Sequence, residues 1–251
     1  MKIVLSPAKK LDLKSPVPVL PYTAPVFLDR AEQLIQVMRQ KTPDDIKKLM
    51  KLSDNLANLN WERYQAWHKE IDETARPAIF TFNGNVYDGL NVRNLPEEKL
   101  MVLNDKVRIL SGLYGILRPF DLIYPYRLEM GIKLKFGTYK NLYEFWRQKV
   151  TAYLGSEMQE GDFLVNLASQ EYFKVIDKKS FKHPVYDVVF KDFKNGMLKT
   201  ISLYAKIARG LMTRFIILNN INTPDELKLF DMDGYRYDDD LSSEYTLVFT
   251  R

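Results

Sequence analysis

The sequence predicts one α/β domain of the mixed α+β kind, with a mixed sheet surrounded by helices. Three observations carry this. Apolar strand-like runs and amphipathic helical stretches interleave without strict alternation, no repeat or Pro/Gly/Ser-rich linker divides residues 1–251, and a chain of this length can bury a sizeable single core. A composition of 46% hydrophobic and 27% charged residues is that of a globular protein rather than a disordered one.

The first element is a short buried strand, Lys2 to Leu5, stopped by Ser6 and Pro7. Pro7, Pro16, Pro18, Pro21 and Pro25 then predict an extended surface segment, because each proline removes a backbone donor. A helix is expected from about Val26 to Gln40. The next opens at Thr42, an N-cap, with Pro43 at the first helical position and Asp44 and Asp45 at the positive helix end. It stops near Leu52, and a further helix passes through "NWERYQAWHKE" (60–70). "PAIFTF" (77–82) reads as a strand, "LPEEKLMVLNDK" (95–106) as a helix and "VRILSG" (107–112) as a strand. Residues 139–153 form an amphipathic helix and "FLVNLAS" (163–169) a buried strand. "VYDVVFKDF" and "LKTISLY" make a β-hairpin turning at Asn195-Gly196, which tolerates positive φ at both turn positions. A helix over "YAKIARGLMTRF" (204–215), a helix opening at Thr223-Pro224 and a strand "YTLVFT" (245–250) complete the chain.

Cysteine is absent and histidine limited to His68 and His183, which excludes a zinc site or an iron–sulfur cluster; no metal or other cofactor is expected, although carboxylate-bound magnesium stays open. No apolar stretch approaches the ~20 residues that span a bilayer, and the Ile3–Leu5 run is too short for a signal-peptide core, so a reducing cytoplasm is the expected location. The net charge of +5 is mild, but Asp231, Asp233 and Asp238 to Asp240 gather near the C-terminus and leave the rest more basic. Nucleic acid or a phosphorylated ligand becomes a candidate partner.

On a helical wheel at about 100° per residue, Ala208, Leu211, Met212, Phe215 and Leu218 share one face. Opposite lie Lys206, Arg209, Gly210, Thr213 and Arg214, read either as a solvated face or as a phosphate site whose glycine admits a ligand. "SGLYGILRPFD" (111–121) leaves a strand at Ser111, and Gly112 and Gly115 permit either a structural turn or an anion cradle near Arg118. In "PYRLEMG", Arg127 and Glu129 share a face if extended, as an ion pair or as a substrate-orienting pair with Glu129 as proton acceptor. Ser6 and Lys9 follow the first strand, and Asn166, Ser169, Glu171 and Lys174 follow another, where α/β sites often lie. "DMDGYRYDDD" lacks the ligand spacing of an EF-hand.

Together "SPAKKLD", "SGLYGILRPFD", "YRLEMG", "NLASQEYF" and "YAKIARGLMTRFI" resemble the YaaA family of peroxide-stress proteins, in order from Met1 to about Phe249. The resemblance implies a bacterial cytoplasmic protein that protects against hydrogen peroxide and limits iron-dependent DNA damage. It further implies an unusual α/β fold with a positively charged cleft, a helix-hairpin-helix element and binding of duplex or branched DNA, with no established catalysis. The family's motif residues map to Ser6, Lys9, Ser111, Gly112, Gly115, Arg118, Arg127, Glu129, Asn166, Ser169, Glu171, Lys206, Arg209 and Arg214. Where the family often carries a second lysine, Ile207 stands here. Residues 42–64 are the helix-hairpin-helix candidate, with Lys47, Lys48 and Lys51 as phosphate contacts; they lack the usual glycines and carry Asp54, so a plain helical hairpin stays open. The primary expectation is a DNA-binding protein without strong sequence preference. Its alternative is an enzyme on a phosphorylated or nucleotide substrate, with Lys9 as nucleophile or acid and Glu129 as base.

Overall fold

A computed structural model describes residues 1–251. The chain opens with β1 (Lys2–Leu5) and β2 (Lys10–Leu11), then three helices, α1 (Leu28–Arg39), α2 (Pro43–Met50) and α3 (Asp54–Ala66). Short pieces follow: β3 (Arg76–Pro77), α4 (Ala78–Thr81), β4 (Phe82–Asn83) and α5 (Asn85–Leu90). Helix α6 (Glu97–Lys106) leads into β5 (Val107–Ser111), β6 (Gly115–Leu117) and β7 (Leu122–Ile123). Next come α7 (Leu142–Ser156), β8 (Leu164–Asn166), α8 (Gln170–Phe173), β9 (Val185–Lys194), β10 (Met197–Lys199) and α9 (Ser202–Leu218). The chain closes with α10 (Pro224–Leu227), β11 (Arg236–Tyr237) and β12 (Thr246–Thr250).

The main sheet runs β11-β12-β9-β8-β1-β5-β6, with β10 paired to β9. Strands β12, β9, β8, β1 and β5 are mutually parallel, and β6, β10 and β11 join antiparallel, so the sheet is mixed and the fold is a single α/β domain, as expected. Ile3, Val4 and Leu5 of the central strand are fully buried, which is why β1 reads as an unbroken apolar run rather than an alternating one. The first parallel strand pairs with the second on one side and the third on the other. The strand order therefore reverses between β1 and β8, and open α/β sheets bind ligands outside the carboxyl ends of strands at such a point.

Local signals placed most elements. Thr42 caps α2 with a full capping box, Thr223 does the same for α10, and Asn195 and Gly196 turn the β9–β10 hairpin with φ of 54° and 75°. The second hairpin strand is only three residues, because Ser202 to Tyr204 already belong to α9. Residues 77–82 are not one strand but the turn of helix α4 between two short strands. The backbone N–H groups of Ala78 and Ile79 bond the carbonyls of Asp121 and Pro119, and a short run buried on all sides has no period to separate the two states. No helix is long and apolar enough to cross a membrane.

Candidate functional site

Ser6 leaves the carboxyl end of β1 and Ser169, at the N-cap of α8, leaves that of β8. The Ser169 backbone N–H donates to Ser6 Oγ at 2.8 Å, so the two chain ends are tied at the reversal point. Asn166 ends β8; its Oδ1 accepts from the Ala168 N–H at 3.0 Å and its Nδ2 donates to Asp187 Oδ1 on β9 at 2.7 Å. Beside them, three predicted residues converge. Glu129 Oε1 accepts from Arg127 Nε at 3.0 Å and faces Lys9 Nζ at 3.4 Å. Glu129 is buried while Lys9 is exposed, and Glu129 Oε2 has no hydrogen-bond partner. Burial pushes the neighbouring phenols of Tyr64 and Tyr126 up, so both stay neutral donors at physiological pH. Glu171 lies at the flank, with its Oε1 accepting from the Gly131 N–H at 3.0 Å.

On the other side of α8 a cleft of about 870 Å³ opens over β9, beneath the first half of α9. Arg209 enters it from α9. Burial lowers its guanidinium pKa, no charged partner offsets this, and its Nε is buried without a hydrogen bond. Exposed Arg147, Lys174, Lys178 and Lys179 line the rim. The acids there are Asp177 and Asp187, and Asp187 is already engaged by Asn166 and by Lys178 at 2.9 Å. The cleft is therefore cationic, with a desolvated arginine lacking a counter-ion, which suits a phosphate or other anion. Arg147, Lys178 and Lys179 were not anticipated. They come from α7 and the turn after α8 and share no local pattern.

Several expected site residues lie elsewhere. Arg214 donates to the carbonyls of Leu90 and Asn91 at 3.1 Å and Asn94 at 3.0 Å, so it closes the end of α5 instead of lining a cleft. Gly210 is where α9 crosses α5, with no room for a side chain or a ligand: a Cβ there would lie 1.9 Å from the Val86 carbonyl oxygen. Thr213 is fully buried and bonds the Arg209 carbonyl. Ser111 is buried too, at 2.6 Å from the Tyr126 hydroxyl. The turn after it is no anion cradle, since a Cβ on Gly112 would lie 2.1 Å from the Leu128 carbonyl oxygen and Gly115 turns with φ +74° against Trp146. Ile109 pairs with Leu117, which sends Arg118 back to the amino end of β5, where its backbone N–H bonds Asp121, far from the cleft. Lys206 is exposed on α9 and joins neither cluster. Residues 42–64 form a helical hairpin that buries Ile46, Met50, Ala57 and Tyr64. Its Lys47 pairs with Asp54, and the Lys51 and Leu52 amides both bond the Lys47 carbonyl, while Lys48 is exposed. No three Asp, Glu or His side chains are grouped to hold a metal ion.

A family model described as "Peroxide stress protein YaaA" matches residues 1–241. The chain belongs to the YaaA peroxide-stress family. Similar relatives, each named as a UPF0246 protein, span the chain throughout. One from Flavobacterium johnsoniae is 50% identical over 252 residues, covering 100% of both chains. Another from Aliivibrio fischeri is 50% identical over 254 residues, covering 100% of this chain and 98% of its own. A third from Marinomonas is 48% identical over 252 residues, covering 100% of this chain and 97% of its own. Membership in the YaaA family ties the fold to peroxide stress and leaves the chemistry of the cleft to its residues.

Proposed function

We propose that this member of the peroxide-stress family acts in the cytoplasm by binding the phosphate backbone of duplex or branched DNA, without strong sequence preference, through the cleft between α8, β9 and α9. Bound there, it would stand on the molecule that iron-dependent oxidation damages. The observation that supports the reading is Arg209, a partly buried guanidinium with no counter-ion, ringed by Arg147, Lys174, Lys178 and Lys179. Rim cations that track a backbone give sequence-independent affinity, and each contact released by mutation lowers the salt slope by about 0.9. Residues 42–64, with Lys48 and Lys51 exposed, would add a secondary contact.

The test is DNA binding across a salt series with wild type, Arg209→Ala and a Lys174→Ala/Lys179→Ala pair. The rim pair should weaken binding and make the slope shallower by about two units. Unchanged affinity and slope would remove the cleft from nucleic-acid binding. A second reading, an enzyme on a phosphorylated or nucleotide substrate, is favoured by one observation: Glu129, buried beside Lys9 and Arg127, keeps an unpartnered oxygen at the sheet's reversal point. Under that reading, Lys9→Ala and Glu129→Gln abolish binding of a phosphorylated small molecule while the rim pair leaves it intact.

A further inference from the structure

A second cavity, of about 320 Å³, lies between the carboxyl end of α3 and the extended segment before α1. Two arginines line it, Arg63 from α3 and Arg76 from β3. Arg63 meets only Asn60 Oδ1, at 3.4 Å, and burial lowers its guanidinium pKa. Arg76 donates one nitrogen to the Ser15 carbonyl, and its Nε is buried with no partner. Neither pairs with a carboxylate, and no acidic residue lines the cavity. Asp72, beyond the wall, is taken up by Thr74 and by His68 Nε2 at 3.2 Å. His68 and Thr74 add polar wall, and the rest is apolar or aromatic: Leu13, with Trp67 and Tyr124, the last two meeting edge to face with ring centroids 6.4 Å apart.

We propose that this cavity binds a phosphomonoester, with Arg63 and Arg76 clasping the phosphate and the organic part lying toward Leu13 and Pro125. Two forked guanidinium groups without counter-ions match a phosphate dianion, and the apolar side chain of Leu13 beside them leaves room for a small organic group. The cavity volume sits at the lower end of the range for small-ligand sites, which admits a mononucleotide-sized molecule and not a folded polymer. Arg63 stands nine residues after Asp54, about 14 Å along α3 from the hairpin turn, so the site is separate from residues 47–54. It is also lined by none of the cleft residues, and it does not rest on the cleft's function. The phosphate could belong to a free nucleotide or to the 5′ end of a broken DNA strand, since both present the same group.

Calorimetric titration of the full chain with deoxyadenosine 5′-monophosphate, deoxyadenosine and inorganic phosphate tests this, using wild type, Arg63→Gln, Arg76→Gln and Arg209→Ala. Saturable nucleotide binding should weaken by about tenfold or more without the phosphate and in Arg63→Gln, and stay within about twofold in Arg209→Ala. Arg76 also anchors Ser15, so if Arg76→Gln does not fold, Arg63→Gln carries the test alone. No saturable nucleotide binding by wild type, equal binding of the nucleoside, wild-type affinity in Arg63→Gln, or loss confined to Arg209→Ala would each overturn the assignment. A duplex with 5′-phosphate ends then identifies the source. If it binds more tightly than the 5′-hydroxyl duplex and loses that advantage in Arg63→Gln, strand ends are the ligand; if both bind alike, the free nucleotide is.

Discussion

Gly210→Ala probes the contact that fixes α9, and with it Arg209, against the rest of the molecule. A methyl group at Gly210 would lie 1.9 Å from the Val86 carbonyl oxygen and 2.6 Å from the Leu90 nitrogen, both backbone atoms of or beside α5. Ordinary van der Waals contact begins near 3.4 Å, so the helices must part by 3.4 − 1.9 = 1.5 Å at that point. Gly89 faces the same crossing from α5, where a Cβ would lie 2.2 Å from the Ile207 carbonyl oxygen, so α5 has no slack to yield. Overpacking of this kind costs about 1–3 kcal/mol and occasionally more, while Ala in place of Gly within a helix returns about 0.5–1 kcal/mol. A clash this close against backbone puts the cost at the upper end, so the net loss should be about 2–2.5 kcal/mol, a fall in Tm of about 4–10 °C for a chain this long. Gly155→Ala in α7 is the control. Its methyl would meet only Phe181, at 3.8 Å, so it should raise stability by up to about 1 kcal/mol. Thermal and urea melts of the two variants decide the matter. If Gly210→Ala melts at or above wild type, helix propensity outweighs packing and the close crossing does not hold α9.

Three further outcomes follow from individual contacts. Arg214→Ala removes the guanidinium donor from the Leu90 and Asn94 carbonyls, while the Asn91 carbonyl keeps the Asn94 N–H, and should lower stability by about 1–3 kcal/mol in a urea melt, with the salt slope of DNA binding unchanged. Ser111→Ala removes the partner of the buried Tyr126 hydroxyl and of the Tyr114 N–H, and should also lower the urea midpoint, by about 1–3 kcal/mol in stability. Burial raises the Glu157 carboxyl, but the two-pronged contact with Arg108, at 2.5 and 2.7 Å, outweighs it and holds the group below its ordinary 4.5. A depressed carboxyl stabilises the fold above that ordinary value and loses the contribution as pH falls through the folded value. Melts from pH 7 to 3 should therefore show a steeper acid loss in wild type than in Glu157→Gln, and equal slopes would contradict the pairing.

What could be read in advance follows the range of the physics behind it. The capping boxes at Thr42 and Thr223 and the Asn195-Gly196 turn are set by residues within three or four positions, so the local sequence contains the whole argument. Ser6, Asn166 and Ser169 were legible as polar residues closing buried strands, because parallel strands place their carboxyl ends together along one edge. Arg147, Lys178 and Lys179 were not, since α7 and the turn after α8 meet at the cleft only through tertiary packing. The wheel of α9 shows the limit most clearly. Lys206, Arg209, Gly210, Thr213 and Arg214 do share a face, but α5 docks across it at Gly210 and divides it. Arg214, on one side of the crossing, is drawn onto the exposed carbonyls at the end of α5. Arg209 is left with no carbonyl or carboxylate in reach and projects into the cleft. The glycine that suggested a ligand approaching the helix instead admits another helix, and that helix decides which of two equivalent-looking arginines stays free to bind an anion.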